Sequence, residues 1–541
     1  MGIDRIRMRK KLIVKRITLA LILVVAFMMP LRAQMLNEGT FKLGKLFSLI
    51  DAFYVDSVGM DKITEKAIIE LLKSLDPHSA YIPADEVKAM NEPLNGNFDG
   101  IGVQFNILDD SILIISPIPG GPSEKVGILA GDRIVTIDGE NVAKTGITTT
   151  GVQTRLRGLK GTTVKVGIYR KGVKGVHDYT ITRDKIPVNS LDAAYMLDTE
   201  NGYVKLNKFA LTTDQEFMDA VSRLKAQGMK NIIIDLRGNS GGYMVPAITL
   251  ADAFLPKDKM IVYLEGAHTT RQEFKSTSDD VLINARVVVL TDEGSASASE
   301  ILAAAIQDWD RGLIVGRRTF GKGLVQNGFY LTDGSMVRLT IARYYTPSGR
   351  SIQSPYADGY DKYMEEFFKR YTNGEMLTDA SVHFPDSLKS YTLTKKRVVY
   401  GGGGIMPDVF VPADTVNYSD YYRDVVRSGV VTRFPLGYTD VNRDKLKMEY
   451  SSFEDFRKRF TFSPDDIKSF IKLGEEMGVP YKDNEFKLSG GELQNILKAL
   501  VARDLWDMNE YFRIVNENDI VIKRAQELIS DKARYNSLLG Y

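Results

Sequence analysis

The stretch Asn231-Ile232-Ile233-Ile234-Asp235-Leu236-Arg237-Gly238-Asn239-Ser240-Gly241-Gly242 opens as a buried apolar strand and ends in a glycine-rich turn. A helical pattern, Val245 to Phe254, follows at once. Working outward, Tyr203 to Leu206 reads as a strand and Asp214 to Gln227 as an amphipathic helix on the amino-terminal side. On the other side Arg286 to Leu290, Ser299 to Trp309 and Leu313 to Val315 read as strand, helix and strand. Strands alternating with helices require right-handed crossovers and a largely parallel sheet, so the region is predicted to be α/β. Past Phe329 the pattern turns to β, through Met336 to Tyr345.

The strand, turn and helix arrangement recurs at Gly294-Ser295-Ala296-Ser297-Ala298-Ser299-Glu300. Small residues around a serine at a helix entrance let its hydroxyl stand at the surface and let a substrate carbonyl approach backbone N–H groups. That geometry suits acyl transfer. Gly321-Lys322-Gly323-Leu324-Val325-Gln326 and Thr346-Pro347-Ser348-Gly349-Arg350 are two further marked segments.

Apolar residues recur at helical spacing from Leu36 to about Asn95, and residues 34–95 are assigned to a helical amino-terminal region. It closes in Leu75-Asp76-Pro77-His78-Ser79, where Pro77 forbids a helix through Asp76. Residues 96–186 are punctuated by glycine and carry Gly100-Ile101-Gly102-Val103-Gln104-Phe105, then Gly120-Gly121-Pro122-Ser123, then Gly131-Asp132-Arg133-Ile134 through Gly139. Together these elements resemble a PDZ domain. The resemblance implies that backbone N–H groups of Gly100, Ile101, Gly102 and Val103 converge on a chain-terminal carboxylate while the strand edge pairs with the peptide. The α/β core is assigned to 187–413, with an aromatic and charged insertion at about 354–400. A separate helical extension is assigned to 414–541, with Ser463 capping a helix at Pro464 and a core stripe at Leu493, Ile496, Leu497, Leu500 and Val501. Gly490-Gly491 is predicted to open the helix that begins near Glu492.

A chain of 541 residues should hold two to four domains. The formal charge of +2 is concentrated at the start, where the first 33 residues carry eight Lys or Arg against Asp4. Without them the balance is mildly acidic, with no basic footprint for nucleic acid. Arg5 to Arg16 is basic, Ile17 to Met29 is apolar, and Pro30-Leu31-Arg32-Ala33 ends in a small residue. The run falls short of the ~20 residues of a membrane span, so residues 1–33 read as a signal peptide, or as an amino-terminal membrane anchor if left uncleaved. Either way the bulk is expected to be exported, in the periplasm or cell envelope. Cysteine is absent, which excludes disulfides, thiolate zinc sites and a cysteine nucleophile.

Ser297 within Ser295-Ala296-Ser297-Ala298-Ser299-Glu300, Lys322 within Phe320-Gly321-Lys322-Gly323, and Gln326 four positions on together resemble the carboxy-terminal processing peptidases. These are tail-specific serine endopeptidases of S41 type with a Ser–Lys dyad. The resemblance runs from about Leu36 to Pro412, includes Asp76-Pro77-His78-Ser79 and Gly404-Ile405-Met406-Pro407-Asp408-Val409, and leaves the rest of the chain unexplained. It implies a multidomain α/β protein with a crotonase-like protease core, a β-rich PDZ domain and helical terminal regions. It also implies Ser297 as nucleophile, Lys322 as general base, Gln326 as the residue orienting the lysine, and an oxyanion hole from the N–H of Ala298 with that of Gly241 or Gly242. The implied substrates are proteins or peptides with free carboxy-terminal tails, exported or unfolded, with no metal, nucleotide or other cofactor. Arg183, at the exit from the PDZ module, is a candidate coupling residue, and a homo-oligomer is compatible with this reading. The rival is a catalytically inactive PDZ scaffold, against which intact Ser297, Lys322 and Gln326 argue.

A lysine base has its own logic. The four histidines, His78, His177, His268 and His383, all lie outside the glycine-rich segments, so a Ser-His-Asp triad lacks an obvious member. A lysine near 10.4 in water is protonated at neutral pH, but burial disfavours the ammonium, and Phe320, Leu324 and Val325 could supply it. Ser295 and Ser299 are rival hydroxyls, and both suit helix capping. Glu300 gains from the helix macrodipole without any catalytic role, and Asp235 with Arg237 reads as an ion pair framing the loop or as a substrate contact. Gly316 to Gly323 nearly spells a P-loop, yet Gly323 stands where Ser or Thr should hold Mg²⁺, and a β-like stretch follows where a helix should.

Overall fold

The computed structural model describes residues 38–277 and 281–541; the predicted signal peptide lies outside them. Two compact units divide after Leu71. The first holds the helix Glu38–Phe53, which buries no residue, and most of the helix Met60–Lys73. No described helix is long and apolar enough to cross a membrane.

In the second unit Asn231–Asp235 is buried at every position and lies inside a six-stranded sheet. Its order is Leu191–Met196, Asn201–Leu206, Asn231–Asp235, Val287–Thr291, Leu313–Gly316 and Val409–Phe410. The first pair is antiparallel and the rest are parallel. Strand alternation sends Ile232, Ile234, Val287 and Val289 to one face, under the helices Thr213–Ala226, Met244–Asp252 and Ala298–Asp308. Ile233, Val288 and Leu290 point to the other, where Val521, Ile522, Ala525 and Leu528 of the helix Ile520–Ser530 cover them. The end of the chain, expected to stand apart, thus supplies the second helical layer. Parallel strands apolar on both faces require cover on both.

A second, antiparallel sheet is built on Met336–Tyr345, which pairs along one edge with Leu324–Tyr330 and along the other with Ala80–Ile82 and Met260–Gly266. Pairing of Ala80–Ile82 carries the preceding Asp76–Ser79 turn to this sheet, where Ser79 Oγ accepts from Thr340 N at 3.1 Å. The PDZ module is an antiparallel sheet ordered Val103–Leu108, Ser111–Pro117, Arg133–Ile137, Thr163–Tyr169 and Val176–Thr182. The helix Thr149–Leu156 closes its core of Ile112, Ile114, Ile134, Val152 and Val166. Asn97–Gly100 and Asp184–Pro187 pair at its neck.

Between Asp420 and Leu505 the extension has a core of its own, rich in aromatic residues such as Tyr421, Phe434, Phe456 and Phe470. Ser463 caps Pro464–Glu476 as expected. Gly490-Gly491 opens no helix: Asp483–Leu505 runs through both. Ser489 and Gly490 are buried there, and Ser489 Oγ donates to Ser419 Oγ at 2.8 Å, an approach that small residues permit. The helix Val430–Glu449 touches the PDZ sheet, Leu436 packing with Leu108, Leu113 and Ile115, and Asp440 pairing with Arg133 at 2.8 Å. The insertion contains an unforeseen helix, Tyr360–Lys369, tied down where Glu375 pairs with Arg318 at 2.7 Å and Arg370 at 2.8 Å.

Candidate active site

Ser297 caps the helix Ala298–Asp308 at φ 55° and ψ −114°, a left-handed φ that costs a serine strain energy. Its neighbours hold the turn. Ser295 Oγ donates to Leu236 O and Ser299 Oγ donates to Asn239 O, each at 2.8 Å, and both hydroxyls are buried. Ser297 is the serine of the three left partly exposed. The loop after Asn231–Asp235 lies directly against it: a Cβ on Gly241 (φ 101°) would stand 2.8 Å from Ser297 Cβ and 3.0 Å from Ala298 N. Only a glycine permits that approach.

Lys322 Nζ donates to Gln326 Oε1 at 3.1 Å, and Gln326 Nε2 donates in turn to the carbonyl of His78. Burial, with Arg338 adding to it, holds the lysine below its ordinary pKa; Glu300 and Asp76 oppose the shift. Its main chain is locked to that of Ser297 through two buried groups. Glu300 Oε2 accepts from Ser297 N at 2.8 Å and Lys322 N at 2.9 Å, while Oε1 accepts from Gly321 N at 2.8 Å and Thr319 Oγ1 at 2.5 Å. Tyr344 Oη reaches Ser297 O at 3.1 Å and Lys322 O at 2.7 Å. Burial pushes the Glu300 carboxyl up to about 7 against these four donors, and it holds Tyr344 well above the ordinary tyrosine range.

The N–H of Gly241 is taken by Asn239 Oδ1 at 2.9 Å. Among the described residues, the N–H groups of Gly242 and Ala298 donate to no protein acceptor. Asp235 forms the ion pair rather than an open contact: it is buried, bonded to Arg237 at 2.7 Å and Lys205 at 3.3 Å, and Arg237 continues to Asp519 at 2.7 Å.

His78, set aside at the sequence level, also reaches this place. Its ring lies 6.2 Å from Phe320 and 5.5 Å from Tyr363, whose hydroxyl is 3.2 Å from Nε2. Burial and the charge of Lys322 lower its pKa to about 4, so it is neutral at neutral pH. The sequence signal for it was the Asp76-Pro77-His78-Ser79 turn, in which Asp76 Oδ1 accepts from the main-chain N of His78 and Ser79 at 2.8 Å. Tyr344 had no signal beyond its place in an alternating strand.

Residues 200–358 match Peptidase family S41, and residues 100–176 match the PDZ domain. The carboxy-terminal-processing protease of Bartonella bacilliformis is 36% identical over 316 residues, 58% of this chain and 72% of that protein. The chain belongs to the carboxy-terminal processing proteases, a family of serine-type endopeptidases. Carboxy-terminal processing protease CtpA of Bacillus subtilis is 38% identical over 312 residues, covering 58% of this chain and 66% of that protein. The matched stretch thus spans about two thirds of these relatives. Among solved structures, a photosystem II D1 C-terminal processing protease is 30% identical, covering 59% of this chain and 85% of that one, with a TM-score of 0.34. Residues 421–507 match a family of unknown function.

In this carboxy-terminal processing protease the Gly100–Val103 turn borders a groove of about 360 Å³ between the strand Val103–Leu108 and the helix Thr149–Leu156, floored by Ile101, Phe105, Gln153 and Leu156. Gly102 sits at φ 73°, where a Cβ would meet Ile186 at 3.0 Å and Pro122 at 3.2 Å. Arg183 lies elsewhere in the module, nearly buried, donating to the carbonyls of Arg155, Leu156 and Thr163 at 2.9 to 3.0 Å. Its side-chain hydrogen bonds all fall within the PDZ segment, so it braces the end of the groove helix and is not brought to Ser297.

Proposed function

We propose that this protein is an exported serine endopeptidase that cuts the carboxy-terminal tails of exported or unfolded proteins, with the PDZ groove holding the tail. The observation that carries the reading is the fastening of Ser297 to a partly buried, pKa-lowered Lys322 through shared hydrogen bonds. Neutral Lys322 Nζ takes the Ser297 Oγ proton as Oγ attacks the scissile carbonyl carbon. The resulting oxyanion is received by the N–H groups of Ala298 and Gly242, whose freedom favours Gly242 over Gly241. Collapse breaks the C–N bond, and the lysine returns its proton to the leaving amine. Water, deprotonated by the same lysine, then attacks the acyl carbon; the bond to Oγ breaks and the lysine returns the proton to Ser297 Oγ. Gln326, tethered to the His78 carbonyl, orients the lysine nitrogen.

The test is cleavage of a peptide with a free apolar tail. Ser297→Ala and Lys322→Ala should each lower kcat by at least about a thousandfold in a folded protein, and Gln326→Ala should cost less. Thiol reagents should have no effect, since the chain has no cysteine. Normal turnover by Ser297→Ala would refute the assignment.

A further inference from the structure

Glu300 is buried in the first turn of the helix that Ser297 begins, and its two oxygens accept four hydrogen bonds. Two of the donors, Thr319 and Gly321, and a third, Lys322 N, belong to the loop that carries the lysine; the fourth is the Ser297 amide. A helix-start carboxylate that served only the macrodipole would face solvent or its own helix. This one joins two separate catalytic segments. Tyr344 repeats the connection through the carbonyls, one hydroxyl shared between those of Ser297 and Lys322. Each segment therefore has both its N–H and its C=O fixed by a group that also fixes the other.

Resting on the dyad reading, we propose that Glu300 and Tyr344 are positioning residues that set the register of Ser297 against Lys322, and that the Glu300 charge tunes the proton affinity of that lysine. The pattern of donors makes the carboxylate specific. All partners of Glu300 present hydrogens, so both of its oxygens must accept. An amide in its place would aim an NH2 either at the Ser297 and Lys322 amides or at the Gly321 amide. Aspartate, one methylene shorter, cannot span both segments. The charged and titratable groups facing the lysine are Arg338 from the strand Met336–Tyr345, Asp76 and neutral His78 from the turn before Ala80, and Glu300 itself. Of these, Glu300 also contacts the lysine's own main chain.

The experiment is the pH dependence of kcat per active site in the full chain, with sites counted by an acylating serine probe, for wild type, Glu300→Gln and Tyr344→Phe. In Glu300→Gln the plateau should fall about a hundredfold, and the midpoint of the alkaline limb should move about one unit lower, because a nearby negative charge no longer favours the ammonium. In Tyr344→Phe the plateau should fall about tenfold with KM and midpoint unchanged, since a neutral hydroxyl is lost and the ring stays. If Glu300→Gln fails to fold, Tyr344→Phe alone decides the positioning claim. A loss confined to the number of titratable sites, with kcat per site and midpoint intact, would reduce both residues to structural roles and overturn the proposal. Failure of the parent reading would show instead in wild type, as a missing alkaline limb or an active Ser297→Ala.

Discussion

The main-chain amides of Ser297 and Lys322 donate to one and the same oxygen, Glu300 Oε2, at 2.8 and 2.9 Å. The serine arrives on the helix that follows one sheet strand, and the lysine on the loop that leaves the next. A shared carboxylate converts two loops into one rigid element, so the spacing between hydroxyl and amine is set before substrate binds. Such preorganisation is worth more in a buried site than in water.

A lysine base makes the rate rise with pH. Lys322 is held below its ordinary pKa chiefly by burial, so the midpoint of the alkaline limb should lie below the ~10.4 of free lysine. His78→Gln should leave that limb in place, because the imidazole is neutral throughout this range. Loss of the limb in folded His78→Gln protein would point to a histidine base instead.

Glu300 gives a stability prediction with a definite sign. Its folded pKa of about 7 lies above the ordinary glutamate value of 4.5, so its contribution is fully present below pH 4.5 and is lost as pH rises through 7. Between those limits wild type should lose on the order of 3 kcal/mol relative to Glu300→Gln, whatever constant offset the amide introduces. Urea midpoints of the two proteins measured across this window check it. A difference independent of pH would mean that Glu300 is not raised.

Tail recognition predicts a need for a terminal carboxylate. A peptide ending in a free apolar residue should be cut faster at low concentration than its amidated twin, because the Gly100–Val103 turn favours charge. Gly102→Val should shrink the difference, since its φ of 73° and the contacts at 3.0 and 3.2 Å leave no room for a side chain. Competition assays with the acid and amide forms provide the measurement.

The α/β core was legible because its strands are short, apolar and separated by glycine-rich turns, as in Asn231–Asp235 and Val287–Thr291. Ser297 and Lys322 could be singled out because Ala or Gly flanks each, and Gln326 only by its place four positions beyond Lys322 in the pattern that resembles the processing peptidases. What escaped was whatever depends on long-range docking. Glu300 looked like an ordinary first-turn acid, and nothing local reveals that three of its donors come from the lysine loop. His78 enters through strand Ala80–Ile82, a pairing too short to read from alternation. Gly490-Gly491 misled because paired glycines commonly mark a helix boundary, whereas here the helix Asp483–Leu505 runs through both.

The role of the chain's end in covering the sheet is equally testable. Ile522 is fully buried against the strands, so Ile522→Asp should destabilise the protein by at least about 3 kcal/mol, by loss of apolar burial and by stranding a charge. Thermal melts would register it. An unchanged melting temperature would mean that the helix Ile520–Ser530 does not pack on the sheet.

Ser297 as nucleophile and neutral Lys322 as its activator lead to one joint expectation. The most direct test is to trap the acyl-enzyme with an activated acylating peptide at several pH values and to locate the adduct by mass spectrometry. The adduct should sit on Ser297, form faster as pH rises with the same midpoint as turnover, and nearly vanish in Lys322→Ala. An adduct on Ser295 or Ser299, or undiminished acylation of Ser297 in Lys322→Ala, would contradict it.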